Sequence, residues 1–168
     1  MLSDRKYQGS YQRIAALLQQ RQLPGENLHR YFEQVAFSVM VRNGAAHLKN
    51  FGLLYRFSGD AWLAPMFDVV CAAVYRYARW PGGPELEDRT PALKPFAGRH
   101  RTRSYPTTEE LLAFGHKVCR LAGPRPVRER IAEARQATLD AARSDDRVPP
   151  ALLQDMRSAW ETGMLHVR

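Results

Sequence analysis

Four residues within one span of eight carry groups suited to chemistry: Asn43, His47, Lys49 and Asn50. Eighteen positions beyond Asn50, past an apolar stretch and a Ser58-Gly59-Asp60 turn, stands Asp68. An amide oxygen and a carboxylate are hard donors. They suit Mg2+, which keeps several waters and takes few protein groups. Phosphoryl transfer needs such a layout. A loop carboxylate orients or takes the proton of the attacking hydroxyl, an Asn five positions later binds a metal ion, and a second Asp beyond a hairpin binds metal bridging the nucleotide phosphates. Position 45, five before Asn50, is alanine. The frame is present without its carboxylate. By spacing alone a second reading stays open, in which Asn50 closes the loop and Asp68 caps the segment that follows.

The neighbouring residues have simpler expected roles. His47 is expected to anchor the loop through hydrogen bonds rather than to act as a base. Lys49 either neutralises transferred phosphate charge or sits in solvent. Asn43 is expected to bond the loop backbone just past a helix. Trp62 and Phe67 read as core residues.

The elements that position these residues follow from periodicity. Ser10 can cap a helix in which Tyr11, Ile14, Leu17 and Leu18 share a face, and Pro24-Gly25 breaks it. A second helix is expected over 26–42, with Leu28, Phe32, Val35 and Val39 as its stripe. Its last turns are apolar nearly all round, so it should be the most buried helix, and Gly44 suits its end. Residues 51–57 read as a strand that returns at 61–63, a short hairpin. The apolar run 69–77 fits strand or helix. Residues 79–103, rich in Pro, Gly and charge, read as a mobile loop. Thr107 and Glu110 form a capping box for a third helix with Leu111, Phe114, Val118 and Leu121 on its core face. A fourth helix starts at Pro126, with Val127, Ile131 and Ala134 on one side, and a last one runs from 149–150 to about Trp160. The pattern predicts a mainly α domain over 1–168 with one small β-hairpin, and no linker divides it.

Composition bounds the partners. The chain has 168 residues, 45% of them hydrophobic, enough for a core. A net charge of +8 points to an acidic partner or to a solvated basic surface. The basic run 99–103 reads as solvated charge. No stripe of basic residues interleaved with aromatics occurs, so direct nucleic-acid binding is not expected. Cys71 and Cys119 form neither a disulfide framework nor a zinc pattern and read as small core hydrophobes. No transmembrane stretch or signal peptide is recognised, which makes a cytoplasmic location the expectation and leaves no membrane partner.

The segments NGAAHLKNFGLLY (43–55) and WLAPMFDVV (62–70) together resemble the catalytic segment of the HipA family. These are bacterial serine/threonine kinase toxins with a protein-kinase-like fold. The family pattern is Asn-x-Asp-x-His-x-Lys-Asn, a hydrophobic strand, then Leu-x-Pro-x-Tyr-Asp. Asn43, His47, Lys49 and Asn50 match the first part. Leu63, Pro65 and Asp68 match the second, with Phe67 for the usual Tyr. The stretch 90–115 is similar to the family region after the metal-binding Asp, so the resemblance covers most of the chain. It implies the C-lobe portion of a kinase-like fold, ATP and Mg2+ as cofactors, and Asn50 and Asp68 as metal and nucleotide ligands. It also implies His47 and Lys49 as loop support, and Ala45 at the place of the catalytic Asp. Only two helices precede the loop, so the expectation is a lobe without its nucleotide-binding partner, inactive alone. The partners implied are a separate N-lobe subunit and a HipB-like antitoxin. The rival expectation is a non-catalytic module that keeps the docking surface for one of them.

Overall fold

A computed structural model of the protein describes residues 4–87, 90–98 and 103–165. Those residues form helices α1 (Tyr11–Gln20), α2 (Gly25–Met40), α3 (Thr108–Lys117), α4 (Arg125–Arg143) and α5 (Pro150–Leu165). Between α2 and α3 lie two small antiparallel sheets. In one, β1 (Leu53–Tyr55) pairs with β2 (Ala61–Leu63), with Leu54 opposite Trp62. In the other, β3 (Arg76–Ala78) pairs with β4 (Glu85–Glu87), with Tyr77 opposite Leu86. The architecture is mainly helical with small antiparallel sheets. No described helix is long and apolar enough to cross a membrane.

α1 starts where Ser10 accepts a hydrogen bond from Arg13 N at 3.2 Å. Tyr11, Ala15 and Leu18 are buried, an i, i+4, i+7 series. Leu17 falls off that face and is 49% exposed, against the sequence expectation. α2 is the centre of the core. Tyr31, Phe32, Val35, Ala36, Val39 and Met40 are each at most 2% exposed. Its buried polar groups are matched. Asn27 Oδ1 accepts from Leu63 N at 2.7 Å, and Gln34 Nε2 donates to Ala64 O at 2.8 Å. These two bonds fix the β1–β2 hairpin on α2 and so set where Asp68 can lie.

Several boundaries differ from the sequence reading. α2 ends at Met40, not at 42, and the left-handed residue after it is Arg42, at φ 56°, not Gly44. Gly44 is needed for close approach instead, because a Cβ there would collide with the side chain of Ala72. The run 69–77 is neither a strand nor a helix throughout. It forms a 3-10 turn (Ala72–Val74) and β3, and Val69 and Val70 are exposed. Its backbone is stitched to the loop after α2, with Ala72 N donating to Arg42 O at 3.1 Å and Cys71 bridged to Asn43. The extended strand is 53–55 rather than 51–57. The β3–β4 hairpin falls partly within the expected loop 79–103 and makes a second hairpin where one was expected. Of the basic run 99–103, only Arg103 lies within the described residues.

The Thr107 capping box forms as expected: Glu110 N donates to Thr107 Oγ1 at 3.2 Å and Thr107 N to Glu110 Oε2 at 2.9 Å. α4 opens one residue early, at Arg125, and its Ala134 is exposed. Leu139 is buried instead, in a second small cluster with Val41 and Trp160 that joins α4 and α5 to the end of α2. An Arg130–Glu33 ion pair adds a link from α4 to α2. Cys119 lies in the main core, where burial pushes its thiol up to about 12, while Cys71 is only half-buried.

Candidate functional site

The loop after α2 is held by side chains that bond backbone. Asn43 is 1% exposed. Its Oδ1 accepts from Ala45 N at 3.0 Å and from Val70 N at 3.2 Å, while its Nδ2 donates to Ser38 Oγ at 3.3 Å. One amide thus joins the end of α2, the loop, and the segment after Asp68. The expectation that Asn43 bonds the loop backbone describes this geometry.

Asn50 closes the same loop from its far end. It completes a 3-10 turn (Leu48–Asn50), and its N–H donates to His47 O at 2.9 Å. Its Nδ2 donates to Ala45 O at 2.7 Å and to Asp68 Oδ2 at 2.9 Å. Ala45, Asn50 and Asp68 are therefore within hydrogen-bond reach of one amide group. Asp68 itself is exposed and sits at φ 53°. Asp tolerates the left-handed region better than most residues, at a cost of roughly 1 kcal/mol. That turn brings its carboxylate back to Asn50. Ala45 is half-buried beside them.

The family whose profile matches is described as HipA-like C-terminal domain, over residues 1–142. This chain belongs to the HipA-like C-terminal domain family. Comparison with curated proteins returns no match. The matched span holds the whole HipA-like loop, Asp68 and all but the last residue of α4, and α5 lies beyond it.

Other expected site residues of this HipA-like domain take different places. Lys49 is exposed. His47 is 8% exposed, and its buried Nδ1 has no hydrogen-bond partner among the described residues. Its ring packs edge-on to Tyr7 at 5.6 Å between ring centroids. Phe67, expected in the core, is 48% exposed. The sequence reading missed Tyr11 as a support. Its hydroxyl donates to Ala46 O at 3.3 Å, and Tyr31 OH donates to Tyr11 O at 2.8 Å. The available signal was a tyrosine rather than phenylalanine on each apolar face, since a buried hydroxyl needs a partner.

Burial, and then the charge of Lys6, lower the pKa of His47 below its ordinary value. Protonation therefore favours the unfolded chain. The stability His47 allows is full above the unfolded pKa of about 6.5 and falls as pH drops below it. His47→Gln should lose less stability than the parent between pH 7.5 and pH 5.5. Urea midpoints at both pH values check this, and equal losses would refute it.

The donor set at Asn50 and Asp68 is one amide and one carboxylate. Among the described residues, no group of three His, Cys, Asp or Glu could hold a metal. The pair does not make a dedicated cage. A hard cation such as Mg2+, which keeps several waters, would take Asn50 Oδ1 and the Asp68 carboxylate as its protein donors.

Proposed function

We propose that this HipA-like domain is the catalytic-lobe part of a HipA-type serine/threonine kinase toxin, with a kinase-like C-lobe and a lost base. The reaction of that class moves the γ-phosphoryl of ATP to a protein hydroxyl. The observation that carries the reading is the Asn50 amide, 2.7 Å from Ala45 O and 2.9 Å from Asp68 Oδ2. It supports one cleft in which both metal ligands and the base position meet.

In this reading Asn50 and Asp68 hold Mg2+, which when bound with ATP neutralises charge on the phosphates. Asn50 orients the loop through Ala45 O, and Asn43 fixes Ala45 N. Lys49, in solvent, can balance charge on the transferred group. A methyl group at position 45 cannot accept the proton of an attacking hydroxyl. Losing a general base costs about 10²–10⁴ in rate. The chain should therefore transfer phosphate at background level.

Purified chain, γ-labelled ATP and a mixed protein extract test this. No label above background is expected. Mn2+ binding in the presence of ATP, read by electron paramagnetic resonance, should be largely lost in Asp68→Ala. Robust transfer that survives both Asn50→Ala and Asp68→Ala would overturn the reading.

A second reading has its own support. Leu54, Tyr55, Phe57, Phe67, Val69 and Val70 are all exposed, and three of them flank Asp68 in the chain. Larger exposed apolar patches mark interaction sites. This exposed set suits a non-catalytic module that receives a kinase N-lobe, on this polypeptide or another, or a HipB-like antitoxin. Tyr55→Glu combined with Phe57→Glu would abolish such pairing and leave Mn2+ binding intact.

A further inference from the structure

Helix α5 lies beyond the family-matched residues, yet it is seated where the loop after α2 meets the segment after Asp68. Trp160 and Gly163 seat it. Trp160 packs with Val41 and Leu139, and Cys71, three positions after Asp68, packs against that cluster. Gly163 is buried at the end of α2, where a Cβ would collide with Met40 O. A glycine lets the two backbones come this close.

Arg42 joins these contacts. It is 6% exposed, and its guanidinium lies over the Tyr105 ring at 4.2 Å. Its Nη2 donates to Thr162 O at 3.1 Å, near the C-terminal end of α5, where carbonyls lack intrahelical donors and a cation is favoured. Its backbone oxygen accepts from Ala72 N at 3.1 Å, four positions past Asp68. The next residue, Asn43, is bridged to Cys71, and its Oδ1 accepts from Val70 N at 3.2 Å. Arg42 thus holds α5 with its side chain and the segment after Asp68 with its backbone. It sits at φ 56°, a conformation that persists where the surroundings over-determine it.

We propose that Arg42 is a positioning residue for the Asn50–Asp68 pair, with α5 as the clasp it works through. The proposal deepens the metal-site reading above and rests on it for the affinity readout alone. Asp68 is exposed, so its own packing does little to place it. Its placement comes from the tethered residues that follow. With α5 seated, Cys71 lies against Trp160 and Ala72 N is held on Arg42 O. That tether fixes where the chain turns at Asp68, and so keeps Oδ2 at 2.9 Å from Asn50 Nδ2. Groups that orient metal ligands from behind commonly carry about 10–100-fold in affinity.

Arg42→Gly in the whole chain tests this. Glycine keeps the left-handed turn, so the variant removes the side chain without adding backbone strain. Nuclear magnetic resonance reads the Asn50 side-chain amide and the exchange of the Val70 and Ala72 amides. Electron paramagnetic resonance reads Mn2+ in the presence of ATP. Arg42→Gly should move the Asn50 side-chain resonances toward those of Asp68→Ala. It should speed both exchanges about tenfold or more, the effect of losing one bond to a charged group, and weaken Mn2+ binding about 10–100-fold. Arg42→Lys, which keeps a cationic donor for Thr162 O, should stay near the parent. Gly163→Ala, which unseats α5 without touching Arg42, should move the same resonances in the same direction, so the test does not hang on one variant. Val35→Ala, in the main core, should lower the urea midpoint and leave the Asn50 resonances and Mn2+ affinity unchanged. Resonances and exchange that match the parent in both Arg42→Gly and Gly163→Ala, or that move no further than in Val35→Ala, would overturn the proposal. Moved resonances in a chain whose parent binds no Mn2+ would support the clasp and count against the metal-site reading instead.

Discussion

Ala45→Asp is expected to raise phosphoryl transfer about 10²–10⁴-fold over the parent, when both are assayed with a nucleotide-cradling lobe supplied by fusion or as a second chain. In the proposed reading the gain comes from returning a proton acceptor beside the Asn50–Asp68 pair. The Asn50 amide already lies 2.7 Å from the carbonyl of residue 45 and 2.9 Å from Asp68 Oδ2. The backbone at 45 is fixed by Asn43, whose Oδ1 accepts from its N–H at 3.0 Å. Its own side chain does not build the loop. A carboxylate there enters a half-buried position beside the Asn50 amide rather than the main core. It will feel the charge of Asp68, and a bound cation offsets that repulsion. Rates with labelled ATP, together with a urea melt, check both halves of the expectation. An Ala45→Asp chain that unfolds would mean that position 45 is ordinary packing. A folded variant with no gain in rate would remove the kinase reading of the cleft.

Phe32→Ala is expected to lower stability by about 3–5 kcal/mol. Phe32 is fully buried at the middle of α2. A Cβ placed on Gly115 of α3 would come within 2.9 Å of Phe32 Cε2, so the ring fills the space that glycine leaves. The site is poorly able to collapse after truncation. α2 is tied to the β1–β2 hairpin through Asn27 and Gln34, and to α1 through the Tyr31–Tyr11 bond. A large residual cavity raises the cost above simple transfer of the ring. Urea denaturation of the two proteins measures it. A shift below about half a kilocalorie would place this helix face on the surface.

What was legible in the sequence was local. The stripe of α2 follows from its period, and the Thr107 capping box from a four-residue pattern. The meeting of Asn50 and Asp68 follows from a hairpin that reverses the chain between them. The family was legible from two motifs taken together. What escaped depends on contacts between distant segments. Val69 and Val70 look like core residues, but their segment bonds the loop after α2 through its backbone and leaves those side chains outside. Arg42 takes the left-handed turn because Asn43 N reaches back to Ser38 O at 2.8 Å and Arg42 O receives Ala72 N, neither of which a local pattern announces. Leu139 is buried only because α5 and Val41 come to it. His47 packs its ring against Tyr7, forty positions earlier, which no local pattern announces.

The shared acceptor at Asn43 has a consequence for exchange with solvent. The amides of Ala45 and Val70 lie 25 residues apart, yet both donate to the same oxygen. The loop and the segment after Asp68 share that acceptor. Rotating the Asn43 side chain releases both protons at once, so the two stretches belong to one cooperative opening unit rather than to two independently fraying loops. Asn43 thereby couples the loop that carries Asn50 to the segment that follows Asp68.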